Sequence, residues 1–237
     1  MEIQKNVVLT GKQQFRYELL QWCGNVEDAE KANAFVMGND EKPRQAQLSK
    51  ADQLEDGVYF IHANGKFTLF EYEYTKTDNM ESEIVAIGLK MGDFSIEIAL
   101  HDEANGERIT LTTKDNSDED KDKDYYIENY DDAVADMDGA NNTDHLRSIL
   151  NPKIQLADEW YIPSLGELYR IFINKKTINE ALDYVKGDRL KDSWYWTSTE
   201  TSATHAWLLP LGGGITVSWL AKASTTYRVR AVSAFIL

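Results

Sequence analysis

The side chains able to do chemistry are dispersed. His62, His101, His145 and His205 lie far apart, and no pair falls in a His-Glu-x-x-His zinc spacing. The chain has no Gly-x-Ser-x-Gly elbow and no Gly-x-x-x-x-Gly-Lys phosphate loop. Gly212-Gly213-Gly214 would cradle a phosphate only if a helix opened behind it; strand-type residues follow, so a turn is expected. Asp118-Glu119-Asp120-Lys121-Asp122-Lys123-Asp124 alternates carboxylates as a calcium loop does. Its lysines and Tyr125 stand where such a loop needs a sharp-turn glycine and more oxygen ligands. Asp136-Met137-Asp138-Gly139 has Arg147 at the twelfth position, where a bidentate Glu would close the site. These patterns nominate no catalytic residue, no metal site and no cofactor, and the expectation is a protein that is not an enzyme.

Charge narrows the partners. A net charge of −15 over 237 residues opposes nucleic acid and anionic membranes, which need clustered Lys and Arg. Eleven carboxylates against two lysines between Asp115 and Asp138 carry more than half of that charge, so this stretch is expected to be extended by self-repulsion. Cys23 is alone, which precludes an intramolecular disulfide. No apolar run approaches the ~18 residues of a membrane span, and no signal peptide is legible. Such a chain carries no legible address, and secretion is compatible with it.

From Ser193 to Tyr227 the charge vanishes. Glu200 is the one acidic residue there and Lys222 the one basic residue, while Trp194, Trp196, Trp207 and Trp219 all fall inside. So apolar a segment is buried, presented to a partner, or both, and it favours binding over chemistry. Trp194, Trp196 and Trp207 are expected to pack internally; Trp219, among small polar residues near a turn, is open to either fate. Glu200 would need an ion pair, for which Arg228 or Arg230 is the expected partner.

The elements that position these residues follow from periodicity. Residues 1–55 read as a helical segment and linker, and residues 56–113 as an antiparallel β region. Strands are expected at 58–61, 67–74, 84–89, 94–100 and 109–112, the first two joined by a type I′ turn at Asn64-Gly65. The acidic loop spans 114–138. Thr143 opens a short helix, and two capping boxes, Ser164 with Glu167 and Thr177 with Glu180, open helices at 165–174 and 178–186, the second closed by Gly187. Strands return at 194–199, 205–211, 215–220 and 227–236. Strands, then helices, then strands, without βαβ alternation, make an α+β fold.

Four phrases in order, Trp160-Tyr161-Ile162-Pro163-Ser164-Leu165-Gly166-Glu167-Leu168, Tyr195-Trp196-Thr197-Ser198-Thr199-Glu200, Ala206-Trp207 and Val229-Arg230-Ala231-Val232, resemble a bacterial family with the C-type lectin-like fold. Asp136 to Thr143 is similar to the segment that opens that family's first helix. The resemblance implies a C-type lectin-like domain at 139–237, with the antiparallel region as part of the module. It also implies kinship with the variable proteins that retroelements diversify in bacteria and phages. Framework residues would be Trp196, Ser198, Glu200, Ala206, Trp207, Gly214, Arg228, Val229, Arg230 and Val232. The ligand-binding positions would be Thr201, Ala203, Thr204, His205, Leu208, Pro210, Thr216, Ser218, Leu220, Ala221, Ser224 and Thr225, with Trp219 beside them. The Glu-Pro-Asn and Trp-Asn-Asp ligand groups of calcium-dependent lectins are absent. The expected function is calcium-independent, non-catalytic recognition of a protein or glycan. Its alternative is a structural component of a phage or surface appendage, a homo-oligomer using the same face as a subunit interface.

Overall fold

The computed structural model describes residues 54–71, 83–116, 125–213 and 218–235. The chain divides into two compact units, Met1–Leu48 and Ser49–Leu237, and all described residues belong to the second. The expected N-terminal helices, Gly214, Thr216 and the centre of the acidic stretch lie outside the described residues.

Two antiparallel sheets and four helices make up the described part, an α+β fold as expected. The larger sheet contains β1 (Gly57–His62), β2 (Phe67–Leu69), β3 (Ile84–Met91), β4 (Phe94–Ala99), β5 (Trp160–Tyr161) and β9 (Val232–Ala234), in the order β2-β1-β3-β4-β9-β5. The smaller contains β6 (Trp194–Glu200), β7 (His205–Pro210) and β8 (Ser218–Ala221). Between β4 and β6 in sequence come α1 (Tyr130–Ala135) and α2 (Gly139–Leu146), then, after β5, α3 (Leu165–Ile173) and α4 (Lys175–Val185).

Period-2 burial fixes the large sheet. Val58, Phe60, Ile87, Leu89, Ile96, Ile98 and Val232 point to one side, where they meet Leu165, Leu168 and Ile171 of α3 and Ile178, Ala181 and Leu182 of α4. Tyr195, Trp207 and Leu209 of the smaller sheet close the same core. A second core lies on the other face of that sheet, where Trp196, Ala206 and Leu208 pack on Ile109, Leu111, Leu146 and Val229. Both faces of β6 and β7 are therefore buried.

The β1–β2 hairpin forms where expected, with a different turn. Only Gly65 has positive φ, at 76°, and His62 N–H donates to Lys66 across a three-residue loop, the geometry of a type I turn followed by a glycine bulge. Ile109 and Thr112 make isolated bridges to Tyr227 and Leu150 instead of a strand. Asn129 caps two backbone N–H groups of α1, so the end of the acidic stretch is helical, against the expectation of an extended loop. Helix α2 opens at Gly139, a turn ahead of Thr143, whose hydroxyl instead accepts from Ile162 N–H and donates to Ile162 C=O.

At α3 the capping box is complete: Ser164 Oγ accepts from Glu167 N–H and Glu167 Oε2 accepts from Ser164 N–H at 2.8 Å. The Thr177 box does not form, because α4 starts at Lys175 directly after the shared residue Asn174. The left-handed residue ending α4 is Lys186, with φ 60°, and Gly187 is needed for a different reason. A Cβ there would stand 2.8 Å from the Leu100 carbonyl.

Two further residues carry stored cost. Ala104 sits at φ 52°, ψ 35° in the 3-10 turn Glu103–Gly106, a region unfavourable to residues with a Cβ. Ala104→Gly is expected to stabilise the fold by roughly 0.5–1 kcal/mol after the entropy glycine adds to the unfolded chain, read from urea unfolding midpoints. Glu97, half-buried on β4, has its carboxyl pushed up to about 7 by burial and then by the neighbouring Glu159. A folded pKa above the unfolded value near 4.5 favours the protonated fold, so stability is full below about 4.5 and falls as pH rises through 7. Glu97→Gln should match the parent at pH 4 and exceed it by about 1 kcal/mol at pH 8, once solvent screening is allowed for. Equal pH profiles for the two would refute the assignment.

Candidate functional site

The pleat of the smaller sheet sorts the expected ligand positions. Trp207 and Trp219 are cross-strand partners, as are His205 and Ala221, so all four side chains leave the sheet on one face. Trp207 is 2% exposed and Trp219 is 54% exposed, their rings meeting edge to face at 5.2 Å. Trp207 Nε1 donates to Ile127 C=O at 2.7 Å, and Tyr130 of α1 approaches the same indole at 6.5 Å, itself 39% exposed. The result is an aromatic ledge, Tyr130 and Trp219 outward, anchored by a buried and hydrogen-bonded tryptophan.

Other expected positions fall elsewhere. Leu208 is fully buried in the second core, so its assignment to the ligand surface is corrected: alternation turns it to the face opposite Trp207. Thr201 is also buried, its hydroxyl and N–H both turned to His205 C=O. Leu220 packs partly against the second core. Pro210 ends β7, half-buried, and Ser218 starts β8 at the partner position of Leu208. Ala203, Thr204 and His205 form a half-buried turn, with Thr204 Oγ1 and His205 Nδ1 2.6 Å apart and Ser202 Oγ beside them. Ser224 is exposed, and Thr225 folds its hydroxyl back to Ala221 C=O at 2.7 Å. Of the expected set, Trp219, His205 and Ala221 share a face, and the 203–204 turn and Ser224 lie at the end of the same strands. Tyr130 was missed; it lay within the acidic stretch, where charge hid the helix signal.

Beneath the turn lies a polar knot. Glu200 is 3% exposed; His145 Nδ1 is 2.8 Å from its Oε2, while Lys222 Nζ and Asn116 Nδ2 both bond its Oε1. Lys222 Nζ also donates to Asn116 Oδ1 at 3.0 Å, and Tyr125 stacks on His145 at 4.4 Å, nearly parallel. The expected pairing of Glu200 with Arg228 or Arg230 is thus corrected. Both arginines go to Asp102, from Arg230 Nε at 2.6 Å and Arg228 Nη1 at 3.1 Å, and Tyr195 Oη joins at 3.1 Å. Burial pushes the Lys222 ammonium below the usual lysine range, against the pull of Glu200 and Asp115. The two charges of the tryptophan-rich segment neutralise one another inside, leaving its surface uncharged.

Expected framework residues Trp196, Ser198, Glu200, Ala206, Trp207, Val229, Arg230 and Val232 are all buried, and Arg228 half-buried. Trp194, expected inside, is half-buried against Tyr227. The register of β6 breaks between Trp196 and Glu200, letting Ser198 and Thr199 reach Gly139 C=O and the Asp136 carboxylate. That bulge ties the sheet to α2 and α3.

A separate open groove of about 790 Å³ borders the larger sheet, lined by Glu83, His101, Glu103, Asn105, Gln155 and Trp160 among others. None of the expected ligand positions lines it. Among the described residues there is no group of His, Cys, Asp and Glu able to hold a metal ion, and no helix long and apolar enough to cross a membrane.

No family model matches the chain, and no curated protein matches it. Among solved structures it is similar to a fimbrial protein from Bacteroides ovatus at 15% identity and a TM-score of 0.43, over 76% of this chain and 48% of that one. The chain therefore spans about half the length of that protein.

Proposed function

We propose that this chain is a non-catalytic recognition module of the C-type lectin-like class, which takes a protein or glycan on the aromatic ledge of Tyr130, His205 and Trp219 without calcium. The observation that carries the reading is Trp219. More than half of a large indole is held in water by a strand whose neighbouring tryptophan is buried, on a segment whose two charges are both internal. An exposed aromatic on a rigid frame, with uncharged hydroxyl-bearing turns beside it, suits a stacking or hot-spot contact. The ordered motifs and the burial of the residues they mark as framework support the fold assignment, and a surface, secreted or phage-borne setting follows from the reading.

The second reading, an assembly component, draws on the edge of β8. No other described strand pairs with its outer side, and an unpaired edge beside an exposed tryptophan can accept another copy. One experiment separates the two. The intact protein and Trp219→Asp are screened on glycan and surface-protein arrays and weighed by sedimentation. Ligand capture lost in the variant, with both proteins monomeric, supports recognition. Concentration-dependent self-association lost in the variant, with no ligand captured, supports assembly. Identical behaviour of the two proteins removes the ledge from either role.

A further inference from the structure

An amine, a carboxamide and a carboxylate meet in the knot beneath the 201–205 turn. Lys222 Nζ donates to Asn116 Oδ1 at 3.0 Å, Asn116 Nδ2 donates to Glu200 Oε1 at 3.0 Å, and Lys222 Nζ is bonded to that same Oε1. Each of the three groups thus touches the other two. Lys222 is fully buried and Glu200 nearly so, while Asn116 is half-buried and leads to solvent. The backbone fixes the parts: Asn116 N–H donates to Ala203 C=O at 3.0 Å, Lys222 N–H to Thr204 C=O at 3.0 Å, and Lys222 C=O accepts from Thr112 N–H. Glu200 is oriented through its second oxygen by His145, over which Tyr125 stacks.

An ordinary buried ion pair needs no asparagine so placed, and solvent competition that would keep an amine protonated is excluded. We propose that Lys222 Nζ and Asn116 Cγ join in an intramolecular isopeptide bond, with Glu200 carrying the protons. Glu200 first takes a proton from the Lys222 ammonium. The freed lone pair on Nζ attacks Asn116 Cγ, the C–N bond forms, and the carbonyl electron pair moves to Oδ1. Collapse of this tetrahedral centre breaks the Cγ–Nδ2 bond. Nζ keeps one of its three protons; the other two pass through Glu200 to Nδ2, which leaves as ammonium. Nothing is oxidised or reduced, and no co-reactant is consumed. Desolvation, which lowers the proton affinity of Lys222, favours the neutral nucleophile that the first step requires. Proximity supplies the rest, since both reactants are held by backbone bonds before any chemistry begins.

The link would tie residues 106 positions apart, joining the start of the acidic stretch to the residue directly after β8, the strand that carries Trp219. The site of recognition and this bond are independent: failure of one leaves the other standing.

The test is the mass of the intact, purified, folded chain. The expected mass is about 17 Da, one ammonia, below that of the sequence, and a digest should yield a branched peptide joining the Asn116 and Lys222 segments. Lys222→Met and Asn116→Ala should each return the mass to the sequence value, and Glu200→Gln should leave the bond unformed or slow to form. The bonded chain should melt roughly ten degrees above Lys222→Met, as closing so long a loop restricts the unfolded state. A full sequence mass after prolonged incubation of the folded parent overturns the proposal. So does a mass deficit with Asn116 and Lys222 in separate peptides, which would mark succinimide formation at Asn116-Ser117. Because the decisive reading is made on the parent protein, a variant that fails to fold does not obscure it.

Discussion

Asp102→Ala is expected to lower the unfolding free energy by about 3–5 kcal/mol, among the largest effects of any single substitution in this chain. Asp102 is 5% exposed and receives Arg230 Nε on one oxygen, and Arg228 Nη1 and Tyr195 Oη on the other. Arg230, 1% exposed, also donates from Nη1 to Ala99 C=O and from Nη2 to Asp188 C=O, both at 2.8 Å. Removing the carboxylate leaves a buried guanidinium with hydrogen bonds but no counter-charge, and leaves the phenol without its acceptor. The loss should appear as a shift of the urea midpoint at unchanged slope. Asp102→Asn keeps the shape and loses the charge, so it should fall between the two. As a scale, Arg147→Ala removes an exposed i,i+3 pair with Asp144 and should change stability by no more than about 0.5 kcal/mol. A loss below about 1 kcal/mol for Asp102→Ala would mean that water reaches Arg230 and replaces the missing counter-charge.

The sequence is legible where structure is decided locally. Ser164 and Glu167 form their box because the residues involved are three apart and nothing else competes for them. Thr177 and Glu180 carry the same signature and lose, since α3 runs into α4 through Asn174 alone and the helix has started before Thr177 is reached. Ile109 and Leu111 alternate as strand residues do and are buried as strand residues are, but alternation reports burial and not the presence of a partner ladder. The two-residue β5 is too short to leave any periodic trace. At the candidate site the missing information is three-dimensional in kind. Period 2 separates Trp207 from Leu208, yet both faces of β7 are buried, so no pattern along the strand tells which neighbour of β8 meets water. Glu200 demanded a cation, and its choice of Lys222 over Arg228 follows from Asp102, 98 positions away in sequence by numbering, which claims both arginines first. A lone carboxylate and a lone lysine within one uncharged segment were nevertheless a local sign that the two belong together.

Trp219→Ala is the other substitution of large expected effect, and its effect is on binding instead of folding. The indole is 54% exposed, so its removal gives up only part of the area a core tryptophan would, and the fold should lose about 1 kcal/mol. A tryptophan at the centre of a recognition surface contributes on the order of 2 kcal/mol or more, so affinity for a captured ligand should fall roughly 30-fold or further. Tyr130→Ala, at the rim of the same ledge, should cost less, and Leu220→Ala, on the opposite face of β8, should leave affinity unchanged while lowering stability. This ordering is what a face-specific contact requires: Trp219 over Tyr130 in affinity, with Leu220 silent. Equal losses at Trp219 and Leu220 would mean that binding reports the integrity of the strand and not the indole. An unaltered affinity in Trp219→Ala would place the ligand elsewhere, and the open groove beside Trp160 would be the next surface to mutate.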